Sequence, residues 1–200
     1  MNTLPALLRA PELPTLASVQ AHLEGLAPQD QYLLIRTLGR KQQLRLYDLC
    51  ADSPPLTRDD FVPAGTPVGT TVEHLGWNTL PLFKSWRTFA KPMCALPAET
   101  EIAGYNDSST RWLLGPGYFI CRPTAPEYAQ RGAWVVDYLR VPTGDVPGEW
   151  PDIKPNEEGL QRFVYGGTRD YMRKVCDGVC IGMPYKGDKR MAFPFALVRK

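Results

Sequence analysis

The clearest strand pattern in the chain lies in residues 133–141, AWVVDYLRV, where two charged positions interrupt an apolar run. In an extended chain, successive side chains point to opposite faces, so Trp134, Val136 and Tyr138 share one face. Asp137 falls on the other face, among apolar neighbours. This short, largely apolar run predicts a β-strand.

Weaker patterns of the same kind predict further strands. They cover residues 68–74, 101–105, 111–121, 179–185 and 191–199. A Gly-Pro-Gly at 115–117 interrupts one of them, which indicates a bulge, a sharp bend or a break into two strands. Short turns separate the last strands, and residues 186–189 (KGDK) join the final pair as a hairpin.

A helical period predicts a long amphipathic helix over 156–176. Asn156 suits the N-cap, two glutamates follow it, and Gly178 suits the stop. The apolar positions recur at spacings of three and four: Leu160, Val164, Gly167, Tyr171 and Val175. Two glycines at 166–167 are costly inside a helix, at roughly 1 kcal/mol each against alanine, and a close approach of helix to sheet is the favoured reason.

Helical spacing also marks the N-terminal part. We expect a short helix over 18–26, and a longer one over 28–51 that either kinks near Gly39 or splits there into two. A further helix is predicted over 79–90, with Thr79 as N-cap and Pro92 as terminator. Leu82 belongs to its apolar face.

These elements predict an α+β fold. We expect an antiparallel sheet of about five or six strands, curved or barrel-like, covered by the helix at 156–176 and preceded by an N-terminal helical segment. The prolines at 54–55 divide residues 1–55, an arm and helical segment, from an α+β domain over 56–200. The first segment is either part of the same domain or a small extension of it. No glycine-rich phosphate loop joins a strand to a helix, which argues against a doubly wound nucleotide fold.

Composition narrows the class of protein. The chain has 200 residues, of which 44% are hydrophobic and 22% charged, and its net charge is +2. The last fifty residues carry ten lysines and arginines against six acidic residues, too mixed a pattern to predict nucleic-acid binding. No apolar run approaches the roughly 20 residues of a membrane span, and we see no signal peptide. We therefore expect a soluble, cytoplasmic protein without a membrane partner.

Five cysteines (Cys50, Cys94, Cys121, Cys176 and Cys180) are an odd number at mostly long spacings, which does not indicate a disulfide framework. Cys176 and Cys180 are four apart, but tetrahedral zinc needs two further ligands, and the chain has only two histidines. We predict no metal site and buried, unpaired thiols. No motif specifies a cofactor.

The candidate catalytic residues are His74, Asn78 and Asp137. His74 precedes a turn, where it can act as a general base, and Asn78 can orient it or polarise a carbonyl. As a lone histidine it more often makes a structural hydrogen bond. Asp137 is a charge in an apolar strand. Either its face is exposed to water, or it pairs with Arg140 or an arginine from 156–176, or it lines a cavity.

The candidate ligand-binding residues are aromatic and cationic side chains, each of which also has a structural interpretation. Tyr105, Arg111 and Trp112 flank the turn at residues 106–109. They can form the rim of a pocket, or Tyr105 and Trp112 can simply pack beneath the turn. The others are Tyr138, Tyr165 and Arg173.

The function that these patterns favour is a small-molecule-binding domain, or an enzyme acting on an apolar or aromatic substrate, because a curved sheet rich in aromatic residues can enclose a pocket. The alternative is a protein-interaction module or a homo-oligomer subunit that uses its leucine-rich N-terminal helices. The expected partners are accordingly a small-molecule ligand, or a second copy or another protein.

Overall fold

A computed structural model describes residues 3–81, 83–98 and 100–200, and within them nine antiparallel strands form one sheet. The strands are β1 Val72–Asn78, β2 Thr88–Ala95, β3 Ile102–Gly104, β4 Phe119–Pro123, β5 Trp134–Asp137, β6 Thr168–Cys176, β7 Val179–Lys186, β8 Lys189–Arg190 and β9 Phe195–Arg199.

The sheet closes on itself as a barrel. Strands β1 to β6 each pair with the next strand in the chain, and β6 pairs with β7. β9 inserts between β7 and β1, which completes the ring. β8 pairs with the end of β7 as the tip of a hairpin outside that ring, so eight of the described strands make the barrel wall.

The helices are short. They are α1 Leu4–Leu7, α2 Leu16–Gln20, α3 Pro28–Ile35, α4 Arg40–Leu49, α5 Arg58–Phe61, α6 Arg111–Leu114 and α7 Gln161–Val164. 3₁₀ turns occupy Cys50–Asp52, Lys84–Trp86 and Pro126–Arg131. No helix in the described part of the chain is long and apolar enough to cross a membrane.

Alternating side chains of the strands fill the barrel interior. The members of this inner core include Met93, Phe119, Val136, Met172 and Leu197. α5 closes one end of the barrel, where the Phe61 ring lies 5.4 Å from that of Trp134, centroid to centroid. The opposite end is therefore left for a cavity.

The N-terminal helices cover the outside of β1, β7 and β9. Outward-facing Trp77, Ile181 and Val198 share one core with helical residues such as Leu38 and Leu46. Hydrogen bonds reinforce the contact, since the Trp77 indole donates to the Leu38 carbonyl at 3.2 Å. Residues 142–155 cover part of the remaining outer surface, where Trp150 packs on Tyr105 and Tyr118.

The antiparallel, barrel-like α+β sheet was predicted, but its strand count exceeds the predicted five or six. Of the two arrangements expected near Gly39, a kink or a split into two helices, the structure has the split. α3 ends at Ile35, and Gly39 is the extended N-cap of α4.

The predicted helix over 156–176 is wrong. Only Gln161–Val164 is helical, and Thr168–Cys176 is β6. Gly167 turns the chain between them with a φ of +70°, a conformation that favours glycine. Pairing with β5 and β7 on both edges of β6 outweighs the helical spacing of its apolar residues, because tertiary contacts override local propensity.

The predicted helix over 79–90 is also wrong. A 3₁₀ turn at Lys84–Trp86 leads into β2, which pairs with β1 and β3 and contains Pro92 instead of ending before it. Of the aromatic positions assigned to that helix, Phe83 and Trp86 lie before the strand, and Phe89 packs in the barrel interior from β2. Leu82, assigned to that helix, lies outside the described residues.

Candidate functional site

A cavity of about 210 Å³ occupies the end of the barrel opposite α5. It lies where β1, β3, β5 and β7 end and where β2, β6 and β9 begin. Its lining is mostly apolar and aromatic, with a few polar groups: Asn78, Leu80, Trp86, Phe89, Lys91, Asn106, Ser108, Thr110, Leu114, Tyr138, Val164, Tyr165, Thr168, Asp170, Pro184, Met191, Phe193 and Phe195. This is the usual composition of a small-molecule site.

The floor of the cavity holds a buried lysine. Lys91 is 1% exposed and points inward from β2. Its Nζ donates to Asn106 Oδ1 at 2.8 Å and to the Tyr138 hydroxyl, and it lies 3.9 Å from Asp170 Oδ2. We call Lys91, Asn106, Tyr138 and Asp170 the floor quartet.

Aromatic rings surround the lysine ammonium. Its Nζ lies 4.7 Å from the ring centroid of Phe119, 5.0 Å from that of Tyr138, 5.2 Å from that of Phe195 and 5.7 Å from that of Phe89. Ring faces attract a cation at such distances, most strongly where water is excluded. The cage therefore offsets part of the cost of burying Lys91.

Inward-facing glycines make room for three of these rings. Gly76, Gly104 and Gly182 are each directly opposite a phenylalanine on the neighbouring strand, respectively Phe89, Phe119 and Phe195. A β-carbon on any of the three glycines would overlap the facing ring. Each ring therefore covers a glycine and points its face towards the barrel axis, a cross-strand arrangement known to stabilise glycines in sheets.

Burial shifts the pKa values of Lys91 and Asp170 in the directions that favour their neutral forms. It lowers the pKa of Lys91 to about 8, against the opposing field of Asp170. It raises the pKa of Asp170 to about 6, although the charge of Lys91 and a hydrogen bond from Tyr138 act in the other direction. At pH 7 the two groups are thus mainly an ion pair, but each is within about one pH unit of losing its charge.

Asn106 is fixed by the segment that the Gly-Pro-Gly motif forms. Its Nδ2 donates to the Gly117 carbonyl at 2.8 Å, and its backbone N–H donates to the Pro116 carbonyl at 2.8 Å. Gly117 has a φ of +54°, and a β-carbon there would overlap the Tyr165 ring. The motif thus lets the chain pass close to the cavity and hold the amide oxygen towards Lys91.

His74 faces Lys91 from the paired position on β1. It is 1% exposed, and its Nδ1 donates to the Lys91 carbonyl at 3.2 Å, whereas its Nε2 has no hydrogen-bond partner among the described residues. Burial lowers the pKa of His74 to about 4. The imidazole is therefore neutral at pH 7, and it lies inside the barrel, with its ring centroid 6.3 Å from that of Phe61 on α5.

The cavity opens among exposed apolar side chains, which we call the lip. The lip comes from three segments, residues 83–86, 112–114 and 160–164. Each segment contributes at least one side chain to the cavity lining, namely Trp86, Leu114 and Val164. The exposed members of the lip are Phe83, Trp86, Trp112, Leu113, Leu160, Phe163 and Val164. Exposed apolar patches of this kind mark binding surfaces.

The structure brings some of the sequence-predicted residues to the cavity. Asn78, Tyr138 and Tyr165 line it, and the rings of Tyr138 and Tyr165 stack with centroids 5.1 Å apart. His74 is close to this group, but Asp137 faces the outside of the barrel, where its carboxylate pairs with Arg122 at 2.8 Å and Arg169 at 3.2 Å. Hence these three predicted catalytic residues do not form one constellation.

The other predicted ligand-binding residues lie away from the floor quartet. Tyr105 packs under residues 142–155, and Arg111 pairs with Asp107 at 2.9 Å. Trp112 is 83% exposed on the lip. Arg173 lies on the outside of β6, where it donates to the carbonyls of Tyr47 and Gln130.

Sequence reasoning missed Lys91 and Asp170. It placed Asp170 in the predicted helix over 156–176 and Lys91 directly after the predicted helix over 79–90, where a charged residue is ordinary. The available signal was period-two alternation: Phe89, Lys91 and Met93 share one face of a strand, and so do Asp170 and Met172. A charged side chain on an apolar strand face is costly to bury, which marks it as a candidate in the same way as Asp137.

Among the described residues, no three His, Cys, Asp or Glu side chains cluster in a way that could hold a metal ion. The five cysteines, all within the described ranges, are buried and unpaired. Burial raises the pKa of Cys121 and of Cys180, so their thiols stay protonated.

A second depression, of about 450 Å³, lies on the outer surface between α1 and α4. It is lined by Leu8, Arg9, Arg40, Lys41, Gln42 and Arg45. Arg45 is occupied by the carbonyls of Leu8 and Ala10. Unlike the barrel cavity, this depression contains no buried ionisable group, so we place the candidate site in the barrel.

Fold and site together define a closed antiparallel β-barrel with an aromatic cavity and a buried lysine at its floor. Compared with protein-family models, with curated proteins and with solved structures, the chain matches none. The function must therefore be argued from the site alone.

Proposed function

We propose that the protein binds a small, mainly apolar or aromatic molecule in the barrel cavity, with one polar acceptor group of the ligand at the floor quartet. The observation that carries this proposal is the cavity of about 210 Å³ with aromatic walls and the buried Lys91. Drug-sized ligands occupy pockets of roughly 300–1,000 Å³, so the ligand is smaller than those.

The free-energy cost of burying the charges of the floor quartet supports a functional role over a purely structural one. Buried ion pairs contribute little net stability, and apolar residues of similar size often replace them without loss. Ionisable groups with shifted pKa values in a concave site are typical of binding and catalytic sites. The lip adds an apolar approach to the cavity, which suits an apolar ligand.

Native mass spectrometry of the protein purified from cells tests the proposal. We expect a reproducible bound mass. Ser108→Trp fills the cavity, because Ser108 lines it, and should abolish that mass. Ser109→Trp adds the same bulk at an exposed neighbouring position outside the lining and should retain it. Equal retention by both variants would place the ligand elsewhere, and a bare wild-type protein that also binds no aromatic compound at millimolar concentration would contradict the proposal.

The alternative, interaction through the N-terminal helices, has weaker support. Leu38 and Leu46 of these helices are buried against the barrel, while Leu33 is 49% exposed. Sedimentation distinguishes the two proposals, since the alternative expects a stable dimer or higher oligomer and cavity binding does not need one.

A further inference from the structure

We propose that Lys91 forms a covalent imine with the carbonyl carbon of an aldehyde or ketone ligand bound in the barrel cavity. This inference rests on the proposed function, because the ligand must first enter the cavity. It assigns the chemical class of the ligand's polar group and gives the floor quartet a reaction.

The position of the amine supports this chemistry. Lys91 Nζ lies at the floor of an aromatic cavity, where a ligand's apolar part would contact the walls and its polar end would reach the amine. Desolvation in an apolar pocket is one of the established ways to activate a lysine as a nucleophile. Lys84, an exposed lysine between the lip residues Phe83 and Trp86, serves for comparison.

The neighbouring groups supply the proton transfers. Asp170 Oδ2, 3.9 Å from Nζ, takes a proton from the ammonium and leaves a neutral amine. The lone pair of Nζ then forms the C–N bond, and the carbonyl π electrons move to oxygen, which takes a proton from the same nitrogen. The carboxylic acid of Asp170 protonates the resulting hydroxyl, which leaves as water, and the C=N bond of the iminium forms.

This sequence balances without an oxidant or reductant. A primary amine and a carbonyl compound give an imine and one water molecule, and Asp170 ends as a carboxylate beside a cationic iminium. The aromatic cage that surrounds the ammonium also surrounds the iminium, so the site retains its charge complementarity. The Tyr138 hydroxyl and the Asn106 amide hold the amine in position.

Other titratable groups near Nζ do not compete for the proton at neutral pH. His74 faces Lys91 from β1 and is neutral, because burial lowers its pKa to about 4. The thiols of Cys121 on β4 and Cys180 on β7 stay protonated, and burial holds the pKa of the Tyr138 hydroxyl well above its usual range. Asp170 is the carboxylate among the residues that act electrostatically on Lys91.

Reductive trapping tests the inference on the wild-type protein. The full chain is incubated with benzaldehyde and sodium cyanoborohydride at pH 7.5, and the modified lysine is located by peptide mapping. We expect one benzyl group on Lys91 before Lys84 is modified. At that pH a pKa of about 8 gives about two orders of magnitude more neutral amine than an ordinary lysine has. The trapping rate at Lys91 should level off above pH 8.

Variants and a matched ligand separate the possible failures. Lys91→Met and Lys91→Arg should both lose the rapid modification, and Lys84→Arg should keep it. Benzyl alcohol has the same ring without the carbonyl, and its binding is followed by thermal shift. If benzyl alcohol and benzaldehyde both raise Tm but the trapped label spreads over exposed lysines, the imine is overturned and the binding function stands. If neither compound raises Tm and Lys91 is not labelled, both are overturned for aromatic ligands.

Discussion

Lys91 and Asp170 are each buried almost completely, yet each has another charge as a partner. Removing one of two buried charges leaves the other uncompensated, which is far more costly than removing both. At the scale of single residues, the floor quartet is therefore a coupled unit, and its members are not independent contributors to stability.

Lys91→Met should lower the free energy of unfolding by about 3 kcal/mol at pH 7.5, because Asp170 is then buried without its cation. Adding Asp170→Asn to that variant should recover at least about 1 kcal/mol relative to the sum of the two single changes. Urea unfolding of the four proteins measures this coupling. Additive losses would mean that the two side chains do not act on each other.

His74 predicts a pH dependence. Its pKa is about 4 in the folded protein, below its ordinary value of 6.5, so between these values the unfolded chain binds more protons. Its contribution to stability is complete above pH 6.5 and is lost as pH falls towards 4. Relative to wild type, His74→Asn should lose on the order of 1–3 kcal/mol less between pH 7 and pH 4.5.

The comparison with His74→Asn isolates this histidine, because Asp170 titrates in both proteins. Asp170 acts in the opposite sense, since its pKa is raised to about 6 and acidification below that value relieves the cost of its buried charge. Parallel stability curves of wild type and variant, measured by denaturant unfolding at each pH, would show that His74 is not buried in its neutral form.

At the scale of the strands, glycine and phenylalanine act as pairs. Gly76 on β1 faces Phe89 on β2, and comparable pairs join β3 to β4 and β7 to β9. These pairs determine both the packing of the interior and the shape of the cage around Lys91. A substitution at one of these glycines therefore alters the cavity, although the glycine itself does not line it.

Gly76→Ala should cost roughly 1–3 kcal/mol of stability, because its β-carbon forces the Phe89 ring out of place. Phe89→Leu in the same chain should relieve the overlap, so the double variant should lose less than the sum of the single losses. Gly144→Ala is the matched control, since open space surrounds that glycine, and its effect should stay within about 0.5 kcal/mol. Equal losses for Gly76→Ala and Gly144→Ala, measured by thermal unfolding, would contradict the pairing.

Some of these elements were accessible from sequence, and the reason differs for each. β5 was predicted because the short run around Trp134–Asp137 is rich in aromatic and β-branched residues, which favour strands. β6 was mistaken for a helix because its apolar residues fit both periods, and the pairing partners that decide between them lie elsewhere in the chain. The floor quartet draws on four separate segments, so no local pattern could assemble it.

At the scale of the whole molecule, the N-terminal helices and the barrel share a core. Fully buried Val19, Leu23 and Ile35 lie in the same cluster as Val179 and Ala196 from the barrel. Residues 1–55 therefore form a layer packed on the barrel. A separate domain would have its own core.

Residues 56–200 expressed alone should fail to fold stably, because the outward faces of β1, β7 and β9 would be exposed to water. We expect broad, poorly dispersed NMR signals or aggregation, and recovery of a folded complex when residues 1–55 are supplied as a separate chain. A cooperative thermal transition of the 56–200 fragment near that of the full chain would contradict this expectation.

The position of β9 between β1 and β7 bears on how the chain reaches this structure. His74 and Arg199 are paired across the barrel seam although most of the chain separates them. Hairpins from β1 to β7 can form locally, but the ring cannot close before residues 195–199 have been synthesised, and such distant pairing slows folding. Until then β1 and β7 present unpaired edges, to which strands of other chains can add. The same short strand that completes the cavity wall thus ends the period in which the nascent protein is most exposed to aggregation.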